Sequence, residues 1–178
     1  MDKGQAERLM PLLAELLDEC GIAYGDLAAI GVGTGPGNFT GVRIAVAAAR
    51  GLALGLGIPA IGVTGFEALA LELPPGVITT VDARRGAVWL AADGVAQQLA
   101  TPDALPEGLA GRDAVGERAA EIAAAIGGRH LTPAYPLPVA IARIAASRHA
   151  APQPRPAPLY LRGADAAPPS DPPPVILP

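Results

Sequence analysis

Gly31-Val32-Gly33-Thr34-Gly35-Pro36-Gly37-Asn38-Phe39-Thr40-Gly41, GVGTGPGNFTG, packs five glycines and a proline into eleven residues. Glycine reaches positive φ without steric cost and lets another group come close to the backbone. Pro36 fixes one φ and removes one N–H. A turn this constrained is built to hold a shape, and its flanks say what it joins. Upstream, 27–33 (LAAIGVG) reads as a short buried strand. Downstream, an Ala- and Gly-rich helix is expected over 41–56, N-capped by Asn38 or Thr40. It stops at Gly57 with Pro59 just beyond. Residues 60–64 (AIGVT) read as the next strand. Strand, helix, strand at this spacing is a βαβ unit with a right-handed crossover, which makes the class α/β.

Outward from that unit, residues 5–20 carry Leu9, Leu12, Leu13, Leu16 and Leu17 at helical spacing. Met10 and Ala14 widen the apolar stripe beyond one narrow face, so this helix is expected to pack on two sides. Cys20, the one cysteine, closes it and is expected as a buried thiol; no internal disulfide can form. A short helix is expected over 66–73, a strand over 77–81, a turn at Asp82-Ala83-Arg84-Arg85-Gly86 and a returning strand over 87–92. A brief strand at 114–116 and helices over 117–126 and 138–148 follow. Fifteen of the twenty prolines fall at or beyond Pro102, so 152–178 reads as an extended tail. The expected organisation is a first lobe over 1–75, a second over 76–151 and the tail.

The chain's 178 residues suffice for a sizeable core, and 51% hydrophobic content excludes a disordered chain. No apolar run is expected to reach the ~18 residues that span a membrane, and no signal sequence is expected, since no basic region followed by an apolar core is seen. A cytoplasmic protein without membrane contact is expected. The net charge of −4 argues against general nucleic-acid affinity. Charge is uneven, however: no Asp or Glu lies between Asp26 and Glu67, whereas Arg43 and Arg50 do.

Tested by spacing, the glycine stretch lacks the Gly-Lys-Ser/Thr ending of a phosphate-binding P-loop and does not satisfy G-x-G-x-x-G. It can attract an anion at a helix N-terminus or serve only as a tight strand-to-helix turn, and both readings stand. His130 and His149 have no clustered carboxylates, so no metal site is expected. Ser147 and Ser170 sit in no nucleophile elbow. Asp82, at a strand end, reads equally as a catalytic acid or a turn residue.

Four stretches together resemble one family. Residues 33–63 (GTGPGNFTGVRIAVAAARGLALGLGIPAIGV) closely resemble the GPGSFTGLR segment of the bacterial TsaB (YeaZ) proteins. GQAERLMPLL (4–13) is similar to their G-H-A-E-x-L-x-P helix, with Gln5 in place of His. VDARRGAVWLA (81–91) resembles their DARRGEVY hairpin, and PLYLRGADA (158–166) their closing P-x-YLR motif. The resemblance implies a two-lobed actin-like ATPase fold of the RNase H-like class. It implies a non-catalytic accessory subunit for threonylcarbamoylation of adenosine 37 in tRNAs reading codons that begin with A. The partners implied are a TsaD-type catalytic paralogue and a TsaE-type ATPase, with a homodimer when the chain is alone and tRNA met indirectly. ATP and a metal ion are expected in the partner subunits and no cofactor in this chain.

The catalytic paralogue's V-N-H-L-E-G-H motif aligns with Val63-Thr64-Gly65-Phe66-Glu67-Ala68-Leu69, so Gly65 and Leu69 stand where its metal-binding histidines would be. Neither side chain can ligate a metal. The family's opening strands precede the G-H-A-E helix, whereas this chain starts at that helix. A shortened version is therefore expected, with a first lobe missing its first strands and the nucleotide-binding hairpin. The partner face is expected at Met10, Leu13, Leu17, Ile44 and Ala48. The glycine loop Gly35, Pro36, Gly37, Asn38, Phe39, Thr40 and Gly41 would set the angle of the following helix. Arg43, Asp82, Arg84 and Arg85 are the candidate nucleotide or tRNA contacts, with Arg50 beside them. The alternative is a nucleotide-hydrolysing or phosphoryl-transfer enzyme of the actin/sugar-kinase class, with Asp82 near the phosphates.

Overall fold

The computed structural model describes residues 4–161. Strand β1 (Ile30–Gly33) and strand β2 (Ala60–Val63) run parallel, Ile30 opposite Ala60 and Gly33 opposite Val63. Helix α2 (Phe39–Leu56) makes the crossover. Its N-cap is Asn38, whose side-chain oxygen accepts the Gly41 N–H at 3.0 Å, and Gly57 ends it in a left-handed conformation. Val46 and Ala49 of α2 pack against Val32 of β1. The helix is long and apolar enough, by length and composition, to cross a membrane, which corrects the expectation that no run is. Its buried Val46, Ala49 and Ala53, together with Arg43 and Arg50, read it as the core helix of a βαβ unit.

Helix α1 (Gln5–Glu19) meets α2 and, among its described side chains, buries none. Only Leu9, Leu13 and Leu17, spaced one turn apart, are half-buried, so the expected two-sided packing is replaced by one-sided docking. Cys20, just past the last turn of α1, is exposed and not buried as expected.

The opposite face of β1 and β2 is covered by α3 (Gly65–Ala70) and α5 (Leu137–Arg148). A Cβ added at Gly31 would lie 2.8 Å from the Ala145 Cβ, and one at Gly33 would lie 3.3 Å from Ile141 Cδ1. The glycines of β1 therefore let α5 sit directly on the strand. By chain order α5 falls in the expected second lobe, over 76–151, yet it packs on the first sheet. The closing segment joins it there: Pro156 is buried against Gly62, and the Leu159 N–H donates to the Thr34 carbonyl at 2.8 Å. The rest of the expected tail, 162–178, lies outside the described residues.

The second sheet holds β3 (Ile78–Asp82), β4 (Val88–Ala92), β5 (Val95–Ala100), β6 (Ala114–Gly116) and β7 (His130–Leu131), in the order β5-β4-β3-β6-β7. The β3–β4 and β4–β5 pairs are antiparallel; β3–β6 and β6–β7 are parallel. Helix α4 (Ala119–Ile126) lays Ala119, Ile122 and Ala123 on Ile78, Val88, Leu90 and Ala114, and this is the main core. Strand β5, of sequence VAQQLA, goes unread in the sequence because Ala and Gln have weak strand preference; pairing with β4 makes it a strand.

Candidate functional site

Three places gather the residues singled out above. The first is the glycine loop, where β1 hands the chain to α2. Gly35 takes φ 99°, the Gly35–Pro36 bond is cis, and the Gly65 N–H at the start of α3 donates to the Gly35 carbonyl at 2.8 Å. Pro36 is buried, and Gly37, Asn38, Phe39 and Thr40 face solvent. A Cβ at Gly65 would come within 3.4 Å of Val81 Cγ2, so the loop, α3 and the end of β3 converge.

At α3, Thr64 and Glu67 form a reciprocal cap. The Glu67 N–H donates to Thr64 Oγ1 at 3.1 Å, and the Thr64 N–H donates to Glu67 Oε2 at 2.8 Å. Arg148 of α5 holds Glu67 Oε1 at 2.7 Å. Burial alone would push the Glu67 carboxyl up, but the Thr64 N–H, the Thr64 hydroxyl and the Arg148 guanidinium together outweigh it and hold it below the usual carboxylate range. Gly65 and Leu69 sit one turn apart on α3. Among the described residues no three His, Cys, Asp or Glu side chains converge.

The β3–β4 turn is the second place. Asp82 Oδ1 accepts the Arg84 N–H at 2.7 Å, so its carboxylate is used in building the turn. Arg84, Arg85 and Gly86 all take positive φ (65°, 52° and 78°), which is uncommon for two successive arginines. Arg118 Nη1 donates to the Gly86 carbonyl, and its guanidinium pairs with Glu121 at 2.6 Å, tying the turn to α4. Arg84 and Arg85 stand exposed at the tip.

The third place is the α1–α2 surface. Leu13, Leu17, Ile44 and Ala48 are half-buried, while Met10 is exposed. The sequence reading missed the residues that are most uncovered: Leu12, Leu16 (52% exposed), Ile22, and Leu54 of α2 (85% exposed). The periodicity was visible, but which leucines of a broad stripe face outward depends on where the single neighbour, α2, lies. Near the start of α2, Arg43 spans two rings. Its guanidinium carbon lies 3.9 Å from the Phe39 ring centre, and its Nε donates to the Tyr160 hydroxyl at 2.6 Å. Tyr160 lies 117 positions further along the chain, so only the fold reveals this cluster.

The chain is similar to several known proteins. A family model described as TsaD, tRNA N6-adenosine threonylcarbamoyltransferase, matches residues 2–166. The Escherichia coli tRNA threonylcarbamoyladenosine biosynthesis protein TsaB is 38% identical over 90 residues, 48% of this chain and 39% of that protein. The chain thus spans about two fifths of the length of the curated TsaB relatives it matches. An uncharacterized protein of Mycobacterium tuberculosis is 34% identical over 169 residues, 93% of this chain and 79% of its own length. A crystal structure from Pseudomonas aeruginosa, described as similar to peptidase YeaZ, superposes with a TM-score of 0.64 at 28% identity, over 91% of this chain and 86% of that one.

Proposed function

The chain belongs to the TsaD family, tRNA N6-adenosine threonylcarbamoyltransferase, among its TsaB/YeaZ members, and from that premise we propose that it acts as a non-catalytic accessory subunit in threonylcarbamoylation of adenosine 37 of tRNAs that read codons beginning with A. It does so in the cytoplasm by docking a TsaD-type catalytic subunit on α1 and α2. The observation that carries this reading is α1, an amphipathic helix with no buried residue among its described side chains, whose Met10, Leu12 and Leu16 are exposed, as is Leu54 of α2. Large apolar side chains left exposed on two neighbouring helices support an interface there. Leu13, Leu17, Ile44 and Ala48, half-buried on the same two helices, complete the proposed face. A second copy of the chain occupies the same face when the catalytic subunit is absent.

The partner subunits supply the reaction's cofactors. Gly65 and Leu69 offer no metal ligand, which supports leaving the metal ion and ATP to the TsaD-type and TsaE-type subunits, with tRNA reached through them. We read the fold as actin-like with two lobes. One is built on β1 and β2 with α1, α2, α3 and α5; the other on the five-stranded sheet with α4. The two sheets and the parallel β1–α2–β2 crossover support that reading.

A reconstituted reaction tests the role. TsaD-type and TsaE-type subunits, threonylcarbamoyl-adenylate, ATP and tRNA are combined with and without this chain, and the modified nucleoside is quantified by mass spectrometry. Product is expected to depend on the chain. Equal product without it, or product from the chain with no TsaD-type subunit, would sink the accessory role.

A further inference from the structure

Helix α2 and the closing segment 152–161 leave an open groove of about 440 Å³ between them, lined by Arg43, Val46, Ala47, Arg50, Pro158 and Tyr160. That volume lies in the range of small-ligand sites. Among the described residues no carboxylate lines the groove. Two arginines on one helix face, seven positions and about two turns apart, make it basic in a chain whose net charge is −4. At one end Phe39 and Tyr160 form an exposed aromatic pair, ring centres 5.3 Å apart and planes inclined by 39°. Phe39 is 55% and Tyr160 49% exposed. The Arg43 guanidinium lies over the Phe39 ring at 3.9 Å and 5.5 Å from the Tyr160 ring centre.

Part of this cluster has an internal use. Arg43 and Phe39 fasten Tyr160, and with it the closing segment, to α2. That clasp does not account for Arg50, which makes no ion pair or hydrogen bond among the described residues and still faces the groove. Nor does it account for two aromatic rings left half in water. Two exposed aromatic rings and a guanidinium plane beside a further guanidinium are the parts that hold a nucleotide: planar surfaces for a base and a fixed charge for a phosphate. We infer that this groove binds a nucleotide unit, its base stacked on the Phe39–Arg43–Tyr160 cluster and its phosphate held by Arg50. The unit is a free nucleotide or a residue of a single-stranded RNA; the groove's chemistry is the same for both. The groove is formed within one chain, so its binding is measured without any partner and independently of the α1 face.

The experiment titrates the full chain with a fluorescein-labelled single-stranded oligouridylate by anisotropy, and separately with ATP by calorimetry. Saturable binding of at least one probe is expected. Binding of the oligonucleotide alone identifies an RNA strand; binding of ATP alone identifies a free nucleotide. Arg50→Glu weakens the bound probe by about tenfold or more, and Phe39→Leu by about fivefold or more, the cost of one lost stacking contact. Arg50 is exposed and takes no part in the clasp, so Arg50→Glu is expected to keep the parent thermal midpoint, whereas Phe39→Leu, which removes one ring of the clasp, is compared at a temperature well below its own midpoint. Failure of both probes to bind, or binding that neither substitution weakens, overturns the inference.

Discussion

Glu67 ties α3 to α5 through one carboxylate, taking the Thr64 N–H and hydroxyl at 2.8 and 2.7 Å and the Arg148 guanidinium at 2.7 Å. Its carboxyl is held below the ordinary glutamate value, so the stability it contributes is fully present above about pH 4.3 and is lost as pH falls through the depressed folded value. Glu67→Gln is therefore expected to lower the thermal midpoint at neutral pH, by an amount equivalent to about 1 kcal/mol or less because the pair is partly exposed, and the two proteins' midpoints should converge as pH falls through that depressed value. A gap that stays constant into acid would remove the charge from the explanation. Glycines divide in the same way, by what surrounds them. Gly31→Ala drives a methyl against Ala145 and Ile141 and is expected to cost about 1–3 kcal/mol in chemical denaturation. Gly51→Ala, inside α2 with nothing within 4 Å, is expected to stabilise by up to about 1 kcal/mol. Both look alike in sequence as glycines in apolar runs; only the neighbour across the strand tells them apart. Asp82 was legible as a turn residue or an acid, and its bond to the Arg84 N–H shows the turn role.

Among the elements, those with strong local signals could be read directly. Asn38 before α2, Gly57 after it and the period of α1 placed both helices to within a few residues of where they are. The five-residue β4 was legible through the Asp82–Gly86 turn, whereas β5 and β7 were not, since their strand character comes from pairing with a neighbour and not from their own residues. The surface of α1 follows the same rule. Its one described neighbour is α2, so Leu13→Asp is expected to undock the helix and lower stability, whereas Leu16→Arg, on the uncovered side, is expected to leave the melting curve within about 0.5 kcal/mol of the parent. Far-ultraviolet circular dichroism during thermal melting distinguishes the two. If Leu16→Arg unfolded the chain, the outer face of α1 would be core and the docking surface would lie elsewhere.

For the molecule as a whole, chain order is a poor guide to which segments share a sheet. Helix α5 and residues 152–161 return from the end of the chain to pack on β1, β2 and the glycine loop, while the middle of the chain builds the other sheet. That return could not be read from periodicity, because nothing in an Ala-rich helix names its partner; Gly31 and Gly33, small where α5 lands, are the one local trace of it. The family motifs located the glycine loop and the hairpin, yet the Phe39–Arg43–Tyr160 cluster joins residues from both ends of the chain and needed the fold. The glycine loop joins separate parts of the fold: it receives the Gly65 N–H on its Gly35 carbonyl and, beside it, the Leu159 N–H on the Thr34 carbonyl. The account's central claim is that those two helices present a docking face. Size-exclusion chromatography with light scattering on the full chain mixed with a TsaD-type catalytic subunit tests it most directly. A stable complex with the parent chain, lost or weakened at least about tenfold in Leu16→Arg while that variant stays folded, is the predicted result. An undiminished complex with folded Leu16→Arg, or no complex with the parent chain, would contradict it.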